Sequence, residues 1–125
     1  MVIILVSRTK STNVYYEALI RDLRKLSREK KVKIWKALAD LMERPRRKRL
    51  PVKLSKINRL TVEGDTVVIP TKVLGDGELT HRVTIAAYQF SEKALEKIKK
   101  SGCEAISIRE LMKKNPTGSN VKIIT

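Results

Sequence analysis

His81 and Cys103 are the only histidine and the only cysteine among the 125 residues. A zinc site of ordinary stoichiometry takes four ligands, drawn mostly from these two residue types. His81 and Cys103 alone cannot supply them. A thiolate–imidazole nucleophile pair is chemically conceivable, but neither residue stands in a local motif that would prepare one. Asp76 and Glu78, two residues apart in "LGDGELT", could hold Mg²⁺ on a loop and so serve a small nuclease. Asp76 is better read as turn chemistry between Gly75 and Gly77, with Glu78 solvated. The G-x-G of this stretch lacks a third glycine and does not run into a helix, so it is not a dinucleotide fingerprint. Phosphate-loop and G-x-S-x-G motifs are missing as well. The residues describe a chain that is not an enzyme and needs no cofactor or metal.

What the sequence does concentrate is positive charge. Net charge is +15. Residues 1–59 carry a net +13, and residues 60–125 a net +2. From Arg44 to Arg59 there are eight basic residues (Arg44, Arg46, Arg47, Lys48, Arg49, Lys53, Lys56 and Arg59) and no acidic one. Such self-repulsion opposes a compact state and favours an anionic polymer or surface. The arginine forks match phosphate oxygens bidentately, and Pro45 and Pro51 stiffen the run. Lys10 adds to the same basic half, and His81 with Arg82 offers a second contact beside the glycine turn. A membrane surface would call for exposed bulky apolar residues on an amphipathic helix, whereas the apolar faces here are needed for packing. Aromatic residues make up 4%, too few for a platform that stacks single-stranded bases. No helix-turn-helix or zinc finger is present to read a DNA groove. Backbone and shape recognition of folded RNA remains.

These residues must be positioned by a small number of elements. Tyr16, Leu19, Ile20, Leu23 and Leu26 follow helical spacing, with Arg21, Arg24, Lys25 and Arg28 on the other face. They predict a helix over about 14–28, with capping oxygens from Ser11 to Asn13 ahead of it. Ile34, Trp35, Leu38, Leu41 and Met42 mark a second helix, which should end by Arg44 because Pro45 disfavours helical geometry before it. Ser55 is the expected N-cap of one or two further turns. "DTVVIP", from Asp65 to Pro70, reads as a strand, and "LGDGELT" as a turn. The segment beginning at Val83 reads as a buried strand. Ser91 caps a helix that stops at Gly102. "CEAISI" is a strand, with Cys103 a small core residue at its start. Ser107 and Glu110 form a capping box for a short helix through Lys114, and "VKIIT" is a last strand. "MVIILV" reads as a strand or an appended terminus. It is too short for a signal peptide, and no other apolar run approaches the ~20 residues of a membrane span. A lone cysteine suits a reducing compartment, so the expected setting is soluble and cytoplasmic. Residues 1–59 form a basic helical segment with its loop, and residues 60–125 an α/β core, within one folded unit.

Val73 to Gly118 resembles the archaeal and eukaryotic large-subunit ribosomal protein family L-eighteen-e, a relative of bacterial L-fifteen. The matching features are the V-L-G-x-G turn (Val73, Leu74, Gly75, Gly77), the apolar strand Val83 to Ala87, and F-S-x-x-A opening a helix (Phe90, Ser91, Ala94) that ends at Gly102. The two basic helices and the run Arg44–Arg49 resemble the family's N-terminal part. The likeness extends from about residue 11 to residue 125. "MVIILV" departs from the pattern, as does Cys103 in place of a second glycine after Gly102. The resemblance implies an α/β fold of irregular strand–strand–helix units preceded by a basic two-helix segment. It also implies a structural role in the large ribosomal subunit, with large-subunit rRNA and neighbouring ribosomal proteins as partners. A free RNA- or DNA-binding protein of chaperone or chromatin type is the alternative.

Overall fold

The computed structural model describes residues 2–125, and for residues 2–13 and for Arg46 it describes the backbone alone. Helix α1 spans Val2–Lys30 and helix α2 spans Ile34–Met42. A 3₁₀ turn at Arg46–Lys48 leads into strand β1 (Val52–Lys53) and helix α3 (Leu54–Leu60). Then come β2 (Asp65–Leu74), β3 (Val83–Phe90), α4 (Glu92–Lys100), β4 (Glu104–Ser107), α5 (Ile108–Lys114) and β5 (Val121–Ile123).

All strand pairs are parallel. The order is β1-β2-β3-β4, with β5 also paired to β2. β1 meets the C-terminal end of β2 at Val73 and Leu74, and β5 meets its other end at Thr66 to Val68. Both faces of this sheet are covered, which is why β2 and β3 are apolar almost throughout rather than alternating. Val67, Ile69, Ile85 and Ala87 point toward α3 and α4, where Leu54, Ile57, Ala94 and Ile98 complete a core. Val68, Ala86 and Ile106 point the other way, onto Leu19, Leu23, Trp35, Leu38 and Met42 of α1 and α2 and Leu111 of α5. The first two helices are thus part of the sandwich, and the boundary expected at 59/60 lies inside α3.

Several expectations are corrected here. "MVIILV" is not a strand, because α1 already begins at Val2. A short apolar run carries no periodicity that separates strand from helix. Ser11 to Asn13 do not start a helix, which runs through them; side chains able to cap permit an end without enforcing one. Ser55 is not the N-cap of α3. That position is Lys53, without a side-chain bond, and the Ser55 N–H is taken by the Asp76 carbonyl at 3.0 Å. β2 does not stop at Pro70 but continues to Leu74, with the register slipping between Ile69 and Lys72. Proline cannot donate to the ladder, and a bulge absorbs the missing bond.

Local punctuation elsewhere matches the expectations. The Ser91 hydroxyl accepts from the Ala94 N–H at 3.1 Å. Ser107 and Glu110 form both bonds of a capping box. Gly102 adopts φ +74° after α4. The α1–α2 hairpin turns through Lys31 at φ 55°, a left-handed residue of the kind that ends helices. The Trp35 Nε1–H donates to the Pro116 carbonyl at 2.7 Å and ties α2 to the loop before β5.

The turn "LGDGELT" joins two parallel strands, which normally takes a dozen or more residues including a helix. Here eight residues suffice because they run extended alongside α3. The Ser55 N–H meets the Asp76 carbonyl, the Thr80 N–H donates to Asn58 Oδ1 at 2.9 Å, and the Gly64 N–H donates to the Arg82 carbonyl at 2.8 Å. Leu79 turns inward to the core.

Candidate nucleic-acid interface

The basic run leaves α2 and is anchored at both ends. The Arg44 N–H bonds the Leu41 carbonyl at 3.3 Å, and the Lys48 N–H bonds the Pro45 carbonyl at 2.8 Å, closing the 3₁₀ turn. Thr71 Oγ1 donates to the Leu50 carbonyl at 2.9 Å, after which β1 joins the sheet. The run is therefore presented on a fixed backbone. Arg44, Arg47 and Lys48 are exposed. None of the three forms an ion pair among the described residues. Like charges held in one turn without counterions raise the local potential, and phosphates lower it.

Arg49 differs from its neighbours. It is half-buried, with its guanidinium carbon 4.8 Å from the centroid of the Tyr16 ring, a cation–π contact. Its Nε is buried without a hydrogen-bond partner. The Tyr16 hydroxyl donates to the Met42 carbonyl at the end of α2. Burial pushes the Tyr16 phenol above its ordinary value, and Arg49 partly offsets that. Tyr16 also meets Tyr88 edge-on at 5.0 Å. Arg49 thus locks the run onto α1 and the sheet.

The remaining candidates are spread over the molecule. Lys10 and Arg46 have side chains outside the described residues. Lys53 is exposed and lies 3.9 Å from Asp76. Lys56 is half-buried, its ammonium bonded to the Thr125 carbonyl. Arg59, near the end of α3, and Arg82 are exposed. Arg82 stands immediately before β3, at the N-terminal edge of the strands. The run Arg44–Arg49 lies instead beside the C-terminal half of β2. His81 is half-buried, and its Nε2 lies 2.7 Å from Thr61 Oγ1. Its backbone carbonyl accepts from Cys103 Sγ at 3.3 Å. The imidazole and the thiol do not face each other as a nucleophile pair would.

The glycines of "LGDGELT" allow close approach to the neighbouring helices α3 and α4. A Cβ on Gly75 would stand 2.8 Å from the Ala94 nitrogen, and one on Gly77, at φ +101°, 2.5 Å from the Ser55 nitrogen. Asp76 faces Lys53 and Lys93, both at 3.9 Å, and Glu78 faces Lys97 at 3.2 Å. Among the described residues there is no cluster of three or more potential metal ligands.

The structure also brings in residues outside the sequence-derived set. Arg21, Arg24 and Arg28, spaced three and four apart, form one stripe along α1. The helical hairpin sets this stripe against Glu43, Arg44 and Arg49 across a cleft of about 480 Å³ floored by Tyr16, Ile20 and Met42. Arg24 is held by Asp40 at 3.0 Å and by Glu43. The spacing was visible as the polar face of a helix, but its convergence with the run was not.

The profile of the family described as "Ribosomal protein 60S L18 and 50S L18e" matches residues 5–125. The chain belongs to this family. It is similar to the large ribosomal subunit protein eL18 of Methanothermobacter thermautotrophicus, 43% identical over 96% of this chain and 99% of the relative. The eL18 protein of Pyrobaculum aerophilum is 41% identical over 93% of this chain and 95% of its own length. That of Methanoregula boonei is 44% identical over 92% and 95%. The match begins at residue 5, so of the opening apolar segment only Leu5 and Val6 lie within it.

Proposed function

We propose that this chain holds large-subunit rRNA through the exposed run around Arg44, Arg47 and Lys48, together with the arginine stripe of α1. As a member of its family the chain is a structural constituent of the large ribosomal subunit, in the cytoplasm, and not an enzyme. Its partners are therefore rRNA and other large-subunit proteins. The relatives lend no support to a free chromatin-like binder. The observation that carries the assignment of the surface is the contrast in pairing: among the described residues Arg21, Arg28, Arg44, Arg47 and Lys48 have no carboxylate partner, whereas Arg24 is paired with Asp40 and Glu43 and the lysines around Asp76 and Glu78 are paired as well. Arginines on a fixed backbone lose little entropy when they engage phosphates. Arg59 and Arg82, at the far edge of the strands, are assigned a secondary contact. Lys53 and Lys56, each with a protein partner, are assigned a smaller share.

The test is the salt dependence of binding to large-subunit rRNA fragments. Six to ten neutralised phosphates predict a fall of roughly 10³–10⁵-fold between 50 and 200 mM salt. A slope corresponding to one or two charges overturns the assignment. Sedimentation of lysate at moderate and high salt tests the assembly itself, with comigration at both salts expected.

A further inference from the structure

The cleft between α1 and the end of α2 has a composition that phosphate binding alone does not require. Arg21 and Arg28 stand on its α1 wall, exposed and without ion pairs among the described residues, and Arg44 stands opposite. Arg24, committed to Asp40 and Glu43, braces the two walls. Ile20 and Met42 lie beneath its base, nearly or fully buried, and the half-buried Tyr16 ring supplies the apolar floor that remains open. At one end Arg49 lies over Tyr16 with its Nε unpartnered, so a planar cation is already stacked where a second plane could join. Glu17, also on the rim and in no ion pair among the described residues, offers a carboxylate acceptor. The volume of about 480 Å³ falls within the range of small-ligand clefts, roughly 300–1,000 Å³.

We infer that this cleft receives one unpaired nucleotide extruded from the bound RNA. This rests on the rRNA-binding reading above and names what that surface selects. A duplex backbone presents phosphate and ribose, which would use the arginines but not the floor. An acidic peptide would leave the floor and the stack equally idle. An extruded nucleotide uses all three. Its base covers the apolar floor and extends the Tyr16–Arg49 stack, in the way unpaired bases lie on guanidinium planes. Its flanking phosphates meet Arg21, Arg28 and Arg44. A base edge carrying an amino group can donate to Glu17.

The experiment compares a blunt RNA duplex with the same duplex carrying one bulged nucleotide, both titrated against the full chain. The expected result is about tenfold tighter binding of the bulged RNA, the low end of what one stacked base contributes. In the double variant Arg21→Ala, Arg28→Ala, exposed positions that leave the fold intact, the preference should fall to near unity. In Arg47→Ala, Lys48→Ala both RNAs should weaken together and the preference should persist. Equal wild-type affinity for the two RNAs, with a steep salt slope for both, overturns the inference and leaves the rRNA-binding surface standing. Shallow salt slopes for both overturn that surface as well. Tight binding of a poly-glutamate peptide that the Arg21/Arg28 variant loses, without discrimination between the RNAs, assigns the cleft to a protein partner and overturns the inference.

Discussion

Two loops of this chain are rich in charge and in turn residues, yet they do opposite things. The segment from Gly75 to Thr80 pairs its charges within the fold. Asp76 is shared by Lys53 and Lys93, Glu78 faces Lys97, and the Lys97 ammonium also reaches the Gly77 carbonyl at 2.8 Å. Its glycines are pressed against α3 and α4. Arg44, Arg47 and Lys48 form no ion pair among the described residues and are exposed on an anchored backbone. The first loop is a structural crossover whose polar groups are used up within the fold. The second keeps cations without a carboxylate partner among the described residues, which is the basis of the proposed phosphate contacts. A charged loop is therefore informative about binding only once its internal counterions have been traced.

That contrast can be broken most forcefully at Gly77. Replacement by alanine adds a Cβ against Ser55 at a backbone angle that disfavours side chains. Strain and overpacking of roughly 1–3 kcal/mol each should combine. The expected outcome is a thermal midpoint lower by about 10 °C or more, with RNA affinity unchanged for the molecules that remain folded. Calorimetry and RNA titration below the midpoint check both halves. Loss of RNA affinity without loss of stability would place a contact at the turn after all.

The converse variant removes Arg44, Arg47 and Lys48 together, each to alanine. Binding of rRNA fragments should weaken ten- to a hundredfold, on the order of one unit of log–log salt slope lost per phosphate contact. The thermal midpoint should stay within a few degrees, or rise slightly as repulsion is relieved. A marked loss of stability would mean that these side chains pack on their own fold.

Arg49→Ala sharpens the comparison within the run itself. Loss of the stack on Tyr16 should cost about 1 kcal/mol, seen as a midpoint lower by roughly 3–6 °C. Arg47→Ala should leave the midpoint in place. Equal behaviour of the two variants would remove the distinction between an anchoring and a presenting arginine.

Features decided within a few residues were legible beforehand. Ser91, Ser107 with Glu110, Gly102, the helix at Ile34–Met42 and the strand from Val83 each follow from local capping, periodicity or β-branched content. The concentration of cations before Arg59 was equally plain, since charge is additive along the chain. Features that depend on partners distant in sequence were not. The six apolar residues at the start carry no period and read equally well as strand or helix. "LGDGELT" carries a turn signal, but whether the strands it joins are parallel depends on how β2, β3 and α3 pack.

The sequence by itself determined the alternation of elements, the sign and placement of the charge, and the family, because propensity, periodicity and charge are properties of adjacent residues. Only the tertiary structure decided which charges are spent. It set Asp76 between two lysines, laid Arg49 over Tyr16, and faced the α1 arginines toward Arg44. The physical reason is that electrostatic and stacking contacts fall off within several ångströms, so their partners are chosen by the packing of α1, α2 and the sheet and not by order along the chain.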